Sequence, residues 1–178
     1  MQKKTNSENN ETAINSKEFS VDTSVTDIVI PDVVTSIGPR AFNNCSNLTN
    51  IEIPDSVTYI GDSAFDGCIN LKSINIPDGV RSIEDYTFCS CSGLASINIP
   101  DSVISIGDFA FFGCDNLTDI NISNRNIVLS SIGKSAFSFC DSLTNINLPN
   151  SIRFIGDFAF QGCEALKSIT IPDGVIII

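Results

Sequence analysis

Apolar residues return along the chain with a beat of 23 positions. One period, Leu48 to Cys68, reads L-x-x-I-x-I-P-D-x-V-x-x-I-G-x-x-A-F-x-x-C. Ile51 and Ile53 alternate with the polar Asn50 and Glu52, the period-2 pattern of a strand with one buried face. Pro54 has no N–H to give to a ladder, so it ends that strand, and Asp55 opens a turn. Val57 and Ile60 predict a second short extended segment, and Gly61 then turns the chain. Asp62 stands where an N-cap would, which predicts a single helical turn over Ser63–Gly67 with Ala64, Phe65 and Cys68 pointing inward. Leu71 begins the next period.

The beat holds over most of the chain. Pro31, Pro54, Pro77 and Pro100 are 23 apart, as are Pro149 and Pro172; the gap from Pro100 to Pro149 is 49, two periods plus three. Ser123 stands where the missing proline belongs, and the three extra residues fall within 124–131. Cys45, Cys68, Cys91, Cys114, Cys140 and Cys163 keep the same time, as do Phe42, Phe65, Phe88, Phe111, Phe137 and Phe160. A fixed period of this length is the signature of a stacked solenoid. The physical reason is cooperative burial. Ordering a coil costs roughly 1–2 kcal/mol per residue. Its seven or so inward apolar side chains return about 1.5–3 kcal/mol each only when fully buried. A lone coil leaves both flat faces wet, so the coils stand or fall together.

The elements Ile53–Leu71 and Ile99–Leu117 share the string I-P-D-S-V-x-x-I-G-x-x-A-F-x-x-C-x-x-L, and Leu48, Ile51 and Ile53 have the L-x-x-L-x-L spacing of a leucine-rich repeat strand. On these residues the sequence resembles the BspA-like, or Treponema-type, leucine-rich repeat family over about 22–178. The resemblance implies non-enzymatic surface or interaction proteins of bacteria and protists, several of them adhesins. Glu84 departs from the turn glycine, Thr87 from the alanine before Phe88, and Ser123 from proline, and each departure is expected to weaken its coil locally.

The fold expected is therefore a leucine-rich repeat solenoid: a right-handed stack of about 23-residue coils. Parallel strands form one face, with second short strands and single-turn helical segments elsewhere. Six to seven coils would occupy 22–178, making a rod roughly 30 Å long. Residues 1–21, rich in Asn, Ser, Thr, Glu and Lys, read as a disordered polar tail. The apolar close Val175–Ile178 offers no polar cap, which predicts either a fragment or self-association through that end.

Composition narrows the function. Ten basic and 21 acidic residues leave a net charge of −11, which repels phosphate backbones and argues against nucleic acid as a partner. There is no His, which removes Ser-His-Asp and Cys-His catalysis and histidine metal sites. Gly133-Lys134-Ser135 looks like the end of a phosphate-binding loop, but Val128 stands where its first glycine is required. Asp55, Asp62, Asp78, Asp101, Asp108, Asp157 and Asp173 invite a calcium reading but occupy positions where turns and caps want Asp. No catalytic residue, cofactor or metal is expected. No apolar run approaches a bilayer span. Lys3 and Lys4 are not followed by an apolar stretch, so no secretory signal is read. The resemblance favours the cell surface; the plain N-terminus and a ladder of free thiols favour a cytoplasmic scaffold.

The in-phase cysteines are expected as buried reduced thiols bonding to the adjacent turn, and off-beat Cys89 as a surface substitution, a reactive thiol or an intermolecular bridge. Asn10, Asn44, Asn47, Asn116 and Asn121 head N-x-S/T sequons. The candidate binding surface is the outward row of the strand face: Asn50 and Glu52, Ser73 and Asn75, Ser96 and Asn98, Asp119 and Asn121, Asn145 and Asn147, Ser168 and Thr170. These small polar groups suit a broad, shallow surface for a protein or glycan ligand. Arg125, in the inserted stretch, adds a cation to an acidic body.

Overall fold

Short β-branched segments flanked by turns can satisfy their backbone only by pairing with the equivalent segment of the next coil. The computed structural model, which describes residues 12–123 and 128–176, is built this way. Two walls of parallel strands run along the stack. The first wall contains β2 (Asp27–Val29) paired with β4 (Asn50–Glu52), and β7 (Ser96–Ile99), β9 (Asp119–Ile122) and β11 (Asn145–Ile146) in that order. The second contains β1 (Ala13–Ile14), β3 (Ser36–Ile37) and β5 (Tyr59–Ile60), and then β6 (Ser82–Ile83), β8 (Ser105–Ile106), β10 (Ser131–Ile132) and β12 (Phe154–Ile155). Ala13 pairs with Ser36 and Ser36 with Tyr59, one period apart; across the insertion Ser105 pairs with Ser131. The second short strand of each coil is thus observed.

The third side is a turn edge, and here one expectation is corrected. No described residue lies in a helix. In an α-helix each N–H bonds four residues back in its own chain. Along 61–68 the N–H groups instead alternate. Ala64, Asp66 and Cys68 close i→i+3 turns onto Gly61, Ser63 and Phe65, while Ser63, Phe65 and Gly67 donate to Asp85, Thr87 and Cys89 of the next coil. Ser63 and Gly67 reach this geometry with φ of 54° and 75°. Asp62 accordingly does not cap a helix. Its column staples coils instead: Asp85 Oδ1 accepts from Asp108 N–H and Asp108 Oδ1 from Lys134 N–H, both at 2.7 Å.

Inside the turn edge the phenylalanines stack. From Phe19 through Phe42, Phe65, Phe88, Phe111 and Phe137 to Phe160, successive ring centroids are 5.2–5.6 Å apart. Phe42 to Phe137 are fully buried. Phe19 and Ile14 correct the expected tail boundary at residue 21. Ile14 is buried and β1 pairs with β3, so residues from 12 onward form the first coil. The reason lies in the beat itself: Ile14, Phe19 and Val25 stand one period before Ile37, Phe42 and Leu48. Residues 1–11, Arg125 with the rest of 124–127, and Ile177–Ile178 lie outside the described residues.

At one interface between coils both walls lapse. The N–H groups of Gly38, Gly61, Gly107, Gly133 and Gly156 each reach an isoleucine carbonyl of the preceding coil. Glu84 replaces the glycine between Gly61 and Gly107, and β5 and β6 are not paired. A Cβ on Gly61 would sit 2.6 Å from Pro39 N, and one on Gly107 2.7 Å from Asp85 N. The coils approach too closely at this column for a side chain, so Glu84 holds its coil away. The first wall lapses at the same level: β4 is not paired with 73–75, which keep only a bridge between Asn75 and Asn98. The Phe65–Phe88 ring separation, 5.6 Å, is the widest of the stack.

Candidate functional site

The first wall presents its outer face to solvent. Ile51, Ile74, Ile97, Ile120 and Ile146 are buried, and the residues on either side of each point out. All twelve strand residues expected from the sequence are exposed: Asn50, Glu52, Ser73, Asn75, Ser96, Asn98, Asp119, Asn121, Asn145, Asn147, Ser168 and Thr170. Pairing locks the middle of this row into columns. Ser96 lies against Asp119 and Asp119 against Asn145; Asn75 lies against Asn98 and Asn98 against Asn121. Asn121 Nδ2 donates to Asn98 Oδ1 at 3.2 Å, the beginning of an amide ladder. Asp27 and Val29 extend the columns by one coil, in register with Asn50 and Glu52. They were findable in the sequence, one period before those residues.

The face is not uniform. Where the ladder lapses, two shallow depressions open. One, of about 350 Å³, lies between Asn50 and Glu52 on one coil and Ser73 and Asn75 on the next. The other, of about 480 Å³, is lined by Asn145, Asn147, Asn150, Ser168 and Thr170, beside Leu148 and Pro149. Amide and hydroxyl groups dominate both, so the face offers many paired donors and acceptors and few fixed charges.

A family model for a BspA type leucine rich repeat region matches the chain in six copies, over residues 12–131 and 121–178. The chain belongs to the BspA-type leucine-rich repeat family. The solved structures agree. A leucine-rich repeat protein of T. pallidum is 29% identical, with a TM-score of 0.79 over 87% of this chain and 71% of its own. A leucine-rich cell surface protein of Faecalibacterium prausnitzii is 31% identical, with a TM-score of 0.57 over 90% of this chain; this chain spans 57% of its length. Among curated proteins, none matches the chain.

In this BspA-type repeat the cysteine column is structural. Cys45, Cys68, Cys91, Cys114, Cys140 and Cys163 each donate a thiol hydrogen bond to the carbonyl of Phe19, Phe42, Phe65, Phe88, Phe111 and Phe137 respectively, at 2.9–3.2 Å. Each bond ties one turn to the coil before it. Burial raises the pKa of Cys91 and Cys114 well above the ordinary thiol range, with the neighbouring cysteines adding to the rise. Off-beat Cys89 is half-buried. Burial pushes its thiol up, and the Asp66 carboxylate adds to the shift despite a bond to Ser90 that opposes it. The arrangement disfavours the thiolate that a reactive cysteine needs.

Among the described sequon asparagines, Asn47 and Asn116 are likewise committed to the stack. Asn47 Nδ2 donates to Thr23 O at 2.9 Å and Asn116 Nδ2 to Ser92 O at 2.7 Å, a column that Asn70 continues onto Ser46 O. Asn44 Nδ2 donates to Asn43 Oδ1. No described helix is long and apolar enough to cross a membrane.

Proposed function

We propose that this BspA-type repeat is a non-catalytic, cell-surface interaction module that binds a protein partner through the outer face of its first strand wall. The observation that carries the reading is the row of twelve exposed polar side chains on this face, with Asn75, Ser96, Asn98, Asp119, Asn121 and Asn145 held in register by strand pairing. A rigid, repeating surface loses little conformational entropy on binding, which favours an extended partner meeting several coils at once. The small amide and hydroxyl groups and the absence of an aromatic among these twelve suit many modest contacts rather than one dominant anchor. The family supports a protein-binding role, and the surface placement draws on the Faecalibacterium relative, whose name describes a cell surface protein.

A second reading, an intracellular scaffold, draws on the six in-phase thiols, all reduced and five of them fully buried. Biotinylation of intact cells separates the two: labelling of this chain is expected, and complete protection would favour the scaffold. The binding face is tested by photo-crosslinkers at Asn98 and Asn121. Crosslinked partner should be lost when Asn75, Asn98, Asn121 and Asn147 are replaced by Lys with the melting temperature unchanged. Binding that survives those four changes would contradict the assignment.

A further inference from the structure

Arg40, Ser63, Tyr86, Phe109 and Ser135 occupy one column of the turn edge, each in a left-handed conformation with φ of 50–57°. Bulky residues avoid this region, and serine at two of these positions shows that the fold needs no ring there. Yet Tyr86 is 41% exposed. One face of its ring is covered by Phe109, with centroids 4.9 Å apart and planes 6° from parallel. The other looks along the column toward Ser63, whose short side chain leaves a notch between Tyr86 and Arg40. Two coil spacings make that notch roughly 10 Å wide. Its cavity volume is about 380 Å³, with Asp62, Asp85 and Lys17 around the rim. Sites for small ligands begin at roughly 300 Å³.

The floor of the notch is polar. Ser63 is only 8% exposed, lines the notch, and its hydroxyl has no hydrogen-bond partner among the described residues. Ser135 in the same column is also buried, at 6% exposure, so burial of this hydroxyl belongs to the column and leaves it able to bond to whatever fills the notch. The rim balances two carboxylates against an ammonium and a guanidinium, so no net charge selects an ion. One oxygen of Asp85 is held by Asp108 N–H.

We infer that this notch is a binding site for a neutral sugar ring, separate from the strand face. The polarised C–H groups on one face of a pyranose lie against the negative face of the Tyr86 ring, which stacking on Phe109 holds in place. The hydroxyls of the sugar reach Ser63 Oγ, the carboxylates of Asp62 and Asp85, and Arg40. None of these residues belongs to the strand face, so this inference and the proposed protein-binding function fail or survive separately.

The test is two-dimensional amide NMR and saturation transfer with cellobiose, lactose and maltose on the full chain. At least one of these is expected to move the amides of Arg40, Ser63 and Tyr86 together. Tyr86→Ser, which installs the residue the preceding coil carries, should weaken that sugar about tenfold, and Tyr86→Phe should keep it within about threefold. Ser63→Tyr should fill the notch and abolish the response. The inference is overturned if none of the three sugars moves these amides. It is equally overturned if N-acetyl-lysine moves them while the sugars do not, or if Tyr86→Ser leaves affinity unchanged.

Discussion

The turn edge and the strand walls stack the same coils by different means, and they tolerate error differently. At every interface the turn edge makes three backbone bonds, a phenylalanine stack and a thiol bond. Between the coils that carry Ser63 and Asp85 all of these persist: Ser63, Phe65 and Gly67 donate to Asp85, Thr87 and Cys89, and Cys91 donates to Phe65 O. Both strand walls lapse at that same level, where Glu84 takes the glycine's place. The second wall depends on close backbone approach, which one Cβ defeats. The turn edge depends on side-chain volume and on alternating N–H groups, which a change in the wall does not touch. The comparison teaches that the turn edge is the structural spine and the first wall the surface left open for variation.

Breaking the spine should cost most. Phe88→Ala removes a fully buried ring from the middle of the stack and should destabilise the protein by about 3–5 kcal/mol in denaturant titration. A loss under about 1 kcal/mol would show that neighbouring rings close the gap and that the stack is not the spine. Damaging a wall should cost less. Gly107→Glu copies the Glu84 departure one coil further on and should cost about 2 kcal/mol, through lost wall hydrogen bonds. Glu84→Gly should do the reverse, letting β5 and β6 pair and gaining about 1 kcal/mol, since Gly's backbone entropy offsets part of the gain. Unchanged amide protection at Ser82 and Ile83 in that variant would refute the steric account of the gap.

The smallest effect concerns Cys89. Burial and then the Asp66 carboxylate raise its pKa, so its thiolate appears only at higher pH than that of a free cysteine. Alkylation of the native protein should therefore begin at Cys89, slower at neutral pH than for an unfolded control and accelerating as pH rises. Modification of Cys91 or Cys114 before Cys89 would contradict the burial of the ladder.

Much of this was legible in the sequence because one pattern repeats. Each inward position, from Leu48 to Cys68, is written several times over, and alternation around Ile51 and Ile53 fixed which side chains of the first wall face out. The helical turn predicted over 63–67 is absent. Asp62 followed by Ser-Ala-Phe suits a helix start locally, but the N–H groups find carbonyls on the next coil, and a pattern within one period does not reveal that partner. The first coil was hidden for a different reason. Polar neighbours around Ile14 and Phe19 dilute the composition, although both residues keep the beat. The notch beside Tyr86 is not legible in one period because it depends on what stands one coil away: Ser63, not the tyrosine, creates the space.

Native-state hydrogen exchange across the Glu84 interface tests the central claim most directly. The amides of Ser63, Phe65 and Gly67 should exchange only through global unfolding, while those of Ser82, Ile83 and Glu84 should exchange faster through local opening. Wall amides at this level as protected as those of the turn edge, or turn-edge amides that open first, would contradict the account.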